Sequence, residues 1–460
     1  MSKNYFIKIF SLGLIFSLYS EASTSQMQSE INDINDRLLN LELRSLARRL
    51  DLGGRFHVRY TNLKNEEYEN DTNPDKVQNF RMKLDLNLNA NLNSNLNFYS
   101  TLSMAKSFNE SIREGTPLSQ AAWRDYIGTV SYEQGPALWV NRAYIDYKIP
   151  STDLSFFIGR LPTIEGPPQH FYEQRERLGT YPLLSYNMIL DGLGFDYNTS
   201  KYLPKDHELR IRYLYTPTGF VNRASKNKQA RTLNPDGSSR KLDSYDNFST
   251  VMIDYKLKKL SWMEEFTFIY HYFYVANQKV NLLGFFDGYS SLRNDFQASS
   301  RVQSFYFEFK RLFNLPFDLA IAHAMNREKA KGDLYYEVAT NVFSPAGIAN
   351  GRTSGHGTLI SLAYHLPFEF MLNPSFGLEY FRSSKDYLMR DFASDDLTGF
   401  KAQMGRYYHV YWFQPTPQGP NLRLGYIQHQ RHYNFAASGA VSAGSQQRIR
   451  EYYVGLSLDF

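Results

Sequence analysis

A chain of 460 residues with a formal net charge of +5 and no cysteine has room for one large barrel or two to three ordinary soluble domains. The lack of cysteine excludes disulfides and thiolate metal sites, and the mild cationic excess, spread without a basic block, argues against a nucleic-acid partner. Aromatic residues reach 16%, yet no apolar stretch is long enough for a spanning helix. Helical membrane proteins are therefore excluded, whereas a barrel, which turns only alternate residues to lipid, is not.

The first element in chain order reads as a signal peptide, residues 1–22. Lys3 and Lys8 supply a positive start, Ile9 to Tyr19 a short apolar run, and Ser20-Glu21-Ala22 a small residue for cleavage. Residues 23–51 follow a helical period. Ile31, Ile34, Leu38 and Leu41 form one seam, and Leu39, Leu43, Leu46 and Leu50 a second, offset one. Acidic residues come early and arginines late, matching the helix dipole. Three roles suit this periplasmic helix: oligomerisation into a homotrimer through residues 26–50, a plug in a barrel lumen, or packing on the barrel mouth.

From Leu52 onward the period is two. Phe56, Val58 and Tyr60 alternate with Arg55, His57 and Arg59. The clearest strand puts Phe80, Met82, Leu84, Leu86, Leu88, Ala90 and Leu92 on one face, with Arg81, Lys83, Asp85, Asn87, Asn89 and Asn91 on the other. Further strands are expected near 95–104, 138–148, 154–161, 189–198, 207–216, 247–257, 265–276, 301–311, 317–327, 358–366, 371–382, 406–414, 422–434 and 449–460. Long connections (62–79, 105–137, 162–188, 217–246, 277–300, 328–357, 383–405, 435–448) alternate with short ones that carry Pro, Asn or Asp. The expected fold is all-β and transmembrane: a closed antiparallel outer-membrane β-barrel of about 16 strands over 52–460, with a short N-terminal helix.

In the last segment Tyr452, Val454, Leu456, Leu458 and Phe460 alternate with mostly small or polar residues. It resembles the closing strand of outer-membrane barrels, which implies recognition of Phe460 by the barrel-assembly machinery. Parity predicts that Tyr452–Phe460 pairs with Gly54–Tyr60 and that both barrel ends lie on the periplasmic side.

Residues 157–195 carry Phe157-Ile158-Gly159-Arg160-Leu161-Pro162-Thr163, then Glu165-Gly166-Pro167-Pro168, Leu183-Leu184-Ser185-Tyr186 and Asp191-Gly192-Leu193-Gly194-Phe195. This segment resembles a proteobacterial outer-membrane family catalogued as a domain of unknown function (DUF3373), with its Gly-Arg strand end, GPP loop and Asp-Gly strand start. It is also similar, more loosely, to the Gly-Arg strand before the third loop of general porins, and the helix-before-barrel layout resembles trimeric porins. The resemblance implies a channel whose third long connection, near 162–188, folds into the lumen as a constriction.

Arg160, Glu165, Arg175, Arg177 and Asp191 are then expected to line the narrowest section, where mixed charges across a water path discriminate ions by sign. Arg81, Lys83, Asp85, Arg142, Asp146, Arg210 and Arg212 are expected on the lumen wall, because a cation facing lipid at mid-depth costs roughly 2–4 kcal/mol. Arg outnumbers the acids in this set, which predicts a weak anion preference. The expected function is passive diffusion of small hydrophilic solutes or ions. A structural anchor acting through the N-terminal helix and a barrel-embedded hydrolase are the competing readings. No G-x-S-x-G, H-E-x-x-H or P-loop motif is present, so no enzyme and no cofactor is expected. His429 and His432, three apart on a strand, would face opposite sides and make a poor metal site. Expected partners are outer-membrane lipid and the solutes themselves.

Overall fold

The computed structural model describes residues 49–67, 76–107, 137–175, 177, 179–187, 190–216, 231–233, 239–241, 247–280, 296–331, 335–339, 342–345, 352–384, 387, 390–391, 405–417, 419–431 and 447–460. The signal peptide, all but the last residues of the N-terminal helix, and His432 fall outside them. Leu52–Phe460 forms one compact unit, distinct from Met1–Asp51.

Sixteen strands alternate in direction and close into one barrel. They are β1 (Leu50–Glu67), β2 (Lys76–Asn93), β3 (Leu96–Ser107), β4 (Ala137–Lys148), β5 (Leu154–Arg160), β6 (Asp191–Asn198), β7 (His207–Thr216) and β8 (Asn247–Leu260). They continue as β9 (Met263–Val280), β10 (Phe296–Lys310), β11 (Phe317–Lys331), β12 (Arg352–His365), β13 (Ser375–Ser383), β14 (Gly405–Gln414), β15 (Asn421–Arg431) and β16 (Gln447–Asp459). Leu50 and Asp51, assigned to the helix by their leucine seam, are already strand. β13 starts four residues later than its alternation suggests, because Leu372 and Asn373 adopt left-handed φ of 60° and 54° and end a 3-10 turn there.

Closure takes the expected register. Arg55 is opposite Asp459, Tyr60 opposite Val454 and Asn62 opposite Tyr452. Gly54 and Phe460 exchange both backbone bonds, at 2.8 and 3.0 Å, so no edge is left on this side of the sheet.

Strand parity separates two faces. On β9, Phe266, Phe268, Tyr270, Tyr272 and Tyr274 lie on the outer face, and Thr267, Ile269, His271, Phe273 and Val275 are buried on the inner one. Outer aromatic pairs run across the strands, with ring centroids 5.1 Å apart for Phe268 and Phe307 and 5.2 Å for Tyr380 and Tyr408. Such cross-strand pairs stabilise the sheet they cover.

Candidate functional site

The site is built on the segment between β5 and β6. Its neck is closed where the Leu161 N–H donates to the Leu190 carbonyl at 2.9 Å. A single helical turn, α1 (Gln169–Glu173), follows the cis Pro167-Pro168 bond. Two glycines let the legs of the loop press together: a Cβ on Gly166 would sit 1.6 Å from the Tyr181 carbonyl oxygen, and one on Gly179 2.1 Å from that of Ile164. The Leu183 N–H then donates to the Pro167 carbonyl at 2.8 Å.

The loop reaches strands all around the cylinder. Glu173 meets Arg55 on β1 at 2.8 Å, Glu165 meets Lys83 on β2 at 3.1 Å, and Arg177 meets Asp254 on β8 at 2.5 Å. His170 donates to Glu308 on β10 at 2.9 Å, and Arg423 on β15 donates to the Glu173 carbonyl at 3.0 Å. Tyr172 packs edge-on against His409 and Tyr411 of β14, and Tyr186 against Phe248, His271 and Phe273 of β8 and β9. Only a segment that crosses the barrel interior can touch all of these strands. A second connection helps to hold it: the Tyr387 hydroxyl donates to the Leu184 carbonyl at 2.6 Å, and Arg390–Asp391 pairs with Tyr186–Asn187.

Charge binds the loop to the wall. Glu165 accepts from Lys83 and from Arg175, the latter at 2.9 Å, while Arg175 also pairs with Glu173. Lys83 lies 3.4 Å from Asp85 as well. Burial alone would raise the Glu165 carboxyl, but the Lys83 ammonium and the Arg175 guanidinium outweigh it and hold it at about 2. Glu173 follows the same logic: burial pushes it up, and Arg175, Arg55 and Arg423 bring it well below the usual carboxylate range. Tyr181, buried in the loop, has its phenol pushed up by burial. A second cluster joins Arg177, Asp254, Arg212 and Asp196, with Arg212 donating to Asp196 at 3.0 Å.

Among the described residues, two cavities lie between the loop and the wall of β1 to β7. The larger, of about 350 Å³, is lined by Asn89, Tyr99, Arg142, Tyr144, Asp146 and Phe157 on one side and by Tyr181, Asp196, Arg210 and Arg212 on another. The smaller, of about 40 Å³, touches Arg55, Asp85, Arg142, Glu165 and Arg175. Gly159, Gly192 and Gly194 take the inner-face positions of β5 and β6, and a Cβ at Gly194 would meet the Phe157 ring at 2.5 Å. Arg142 belongs to both cavities. It reaches the inner face through a bulge at Asn141, and it donates to Thr101 Oγ1 at 2.6 Å and to Asn87 Oδ1 at 3.4 Å, both neutral groups.

The structure thus brings Glu165, Arg175 and Arg177 together with the inner-face residues Lys83, Asp85, Arg142, Asp146, Arg210 and Arg212, and Arg81 shares their parity on β2. Arg160 and Asp191 are the correction. They sit opposite each other in register with the outward pair Ile158 and Leu193, and they form a bidentate pair at 2.8 and 3.0 Å on the outer face. The chain reverses into the loop one residue after Arg160, at the rim, where an outward ion pair avoids the cost of a mid-depth charge. Arg55, Glu173, Asp196, Asp254, Glu308 and Arg423 are the partners that pattern reading left out. The alternation of charged with apolar residues at Arg55 and Arg423 was the available signal.

One buried group bears on the hydrolase reading. His409 donates from Nδ1 to Glu379 at 2.8 Å and accepts the Tyr453 hydroxyl on Nε2 at 2.7 Å. Ser361 donates to Glu379 at 3.1 Å rather than to the histidine. The imidazole therefore has no free nitrogen turned to the serine, unlike a nucleophile and base pair.

The sequence matches the family described as "Protein of unknown function (DUF3373)" over residues 72–454, most of its length. The chain belongs to the DUF3373 family. No curated protein matches it. Among solved structures, this DUF3373 chain is similar to Salmonella typhi OmpF in complex with daunomycin, at 13% identity and a TM-score of 0.45, covering 89% of this chain and 97% of that one. Pseudomonas putida OprB is similar at 11% identity and a TM-score of 0.45, covering 90% and 95%. Acinetobacter baumannii OccAB3 has 11% identity and a TM-score of 0.39, covering 89% and 100%.

Proposed function

We propose that this DUF3373 protein is an outer-membrane channel for passive diffusion of small hydrophilic solutes or ions, with a weak anion preference. The observation that carries the reading is the loop held across the lumen by ion pairs, with charged cavities beside it along β1 to β7. Their linings bring together Arg55, Arg142, Arg175, Arg210 and Arg212 against Asp85, Asp146, Glu165 and Asp196. The balance leaves one net positive charge. Arg142, bonded to neutral groups at the junction, is its source in this proposal. Cations and carboxylates facing one another across a narrow path set up a transverse field that orders dipolar solutes and favours one ion sign.

Within this reading residues 1–22 are an export signal, the residues from 23 up to the start of β1 a periplasmic helix that joins three copies, and Phe460 a contact for the assembly machinery. Planar-bilayer recording with purified protein tests the channel. Discrete conductance steps with a reversal potential shifted toward the anion are expected in a salt gradient. The absence of steps from folded, heat-modifiable protein would defeat the proposal. Deleting residues 26–48 should abolish SDS-resistant trimers and leave the conductance of each barrel in place.

A further inference from the structure

The outer face has cations that the channel reading does not use. On β10 and β11, Arg301 sits directly opposite Arg327; on β13 and β14, Arg382 sits directly opposite Arg406. All four are exposed. Like charges at facing positions on one side of a sheet destabilise it, and among the described residues none of the four has a carboxylate partner. Both pairs lie toward the strand ends that carry the long connections, as does Arg450 opposite Lys64 on β16 and β1.

What lies beside them fixes their depth. Tyr380 and Tyr408 are the next outward residues below Arg382 and Arg406, and their ring centroids lie 5.2 Å apart at a tilt of 43°. The Arg301 guanidinium lies 5.5 Å from the centre of the Tyr274 ring on β9. Deeper on the outer face lie Leu378 and Phe376 on β13 and Val410 and Trp412 on β14; below the other pair come Gln303 and Met325, then Phe305, Phe307 and Phe309 on β10 beside Ile321 and Leu319 on β11, with His323 bonded to Thr358 among them. Tyrosine marks the edge of a membrane's hydrocarbon region; Arg301 is level with Tyr274, and Arg382 and Arg406 stand one step beyond Tyr380 and Tyr408, which puts both pairs at headgroup level. Two guanidiniums on adjacent strands present planar forks to one oxyanion, which relieves their mutual repulsion and matches phosphate oxygens.

We infer that Arg301 with Arg327, and Arg382 with Arg406, are two binding sites for the phosphate groups of lipids in the leaflet that surrounds the long connections. The occupant is a membrane lipid rather than free phosphate, because the tyrosines and the apolar residues deeper on the same strands offer surface to an acyl chain attached to that phosphate and nothing to a free anion. The inference needs the barrel to sit in a membrane but not to conduct. A protein that conducts without responding to phosphorylated lipid refutes it alone, and one that responds without conducting refutes the channel alone.

The test uses the full chain in neutral detergent micelles. The heat-modification midpoint is read with bisphosphorylated lipid A, with its dephosphorylated form, and with inorganic phosphate at matched phosphate concentration. Lipid A should raise the midpoint, and the other two should not. The double variant R327Q/R406Q removes one member of each pair. It should be at least as stable as the parent in lipid-free micelles, since repulsion is gone, and should lose most of the response to lipid A. R301Q/R382Q, which removes the opposite members, should behave alike. A full response in either variant, an equal response to the dephosphorylated lipid or to inorganic phosphate, or variants less stable than the parent without lipid would each overturn the assignment.

Discussion

Replacing Glu165 by Gln removes the charge that Lys83 and Arg175 share while keeping the size of the side chain. In the folded barrel the carboxyl is held at about 2 instead of the ordinary 4.5. That difference of about 2.5 units corresponds to roughly 3 kcal/mol in favour of the docked, ionised state. Arg175 keeps Glu173 and Lys83 keeps Asp85, so the figure is an upper bound for the substitution. If the energy holds the loop down, the undocked population rises by up to about 300-fold, a factor of ten for every 1.36 kcal/mol.

The chain has no cysteine, so one introduced at Thr163, a buried position two residues away, is a unique reporter. Its modification by a charged thiol reagent at neutral pH should accelerate by one to two orders of magnitude on E165Q. A change of less than about threefold, well under the bound from the shift, would mean that packing rather than this carboxylate holds the loop, and the argument would fail. The pH dependence has a definite sign. A depressed carboxyl contributes its stability above the ordinary value of 4.5 and loses it as pH falls toward about 2. Current noise from loop movement should therefore rise across that window, and E165Q should show the noise already at neutral pH.

Arg142→Glu should move the reversal potential of the channel toward cation selectivity, because it reverses the one cavity charge bonded to neutral partners; an unchanged reversal potential in a salt gradient argues against a path along this wall. Gly166→Ala places a Cβ 1.6 Å from the Tyr181 carbonyl, so the loop cannot close on itself; larger single-channel conductance from a barrel with normal heat-modifiable migration is the expected result. Leu378→Lys puts a cation on the outer face of β13 and should cost about 2–4 kcal/mol in a bilayer, read from unfolding in lipid vesicles. The same substitution should cost far less in the rim region.

The barrel was legible because alternation over β2, from Phe80 to Leu92, or over β16, from Tyr452 to Phe460, can be satisfied only by two different environments. The count of sixteen strands and the closing register followed from that period and from the two classes of connection. Legibility failed where the inner face is not polar. On β9 the inward Ile269, Phe273 and Val275 pack beneath the loop, so both faces are apolar and the period fades. It failed again at β5 and β6, where Gly159, Gly192 and Gly194 take inward positions, Phe157 points inward and Arg160 outward. With glycine on one side and the polarity inverted, parity could not reveal that Arg160 and Asp191 leave the lumen. The loop's own partners were beyond the reach of periodicity, since Arg55, Asp254 and Arg423 lie far from it in sequence and meet it only through closure.

That dependence on closure runs in both directions. Glu173 accepts Arg55 of β1 on its carboxylate, and its carbonyl accepts Arg423 of β15. β1 and β15 are the two neighbours of β16, the strand that completes the cylinder. One residue of the loop therefore bridges across the closing strand, and it can do so only when that strand is in register. Arg59 of β1 pairs with Glu451 of β16 at the same seam and lies over the Tyr453 ring, whose hydroxyl is bonded to His409 beneath Tyr172 of the loop. A slip of one residue would turn Glu451 and Tyr453 outward and leave Arg59 buried without its counter-charge, a loss of several kcal/mol. The loop's grip on the wall and the register of the last strand are thus one cooperative unit, and the dimensions of the candidate path are set by barrel closure rather than by the loop alone.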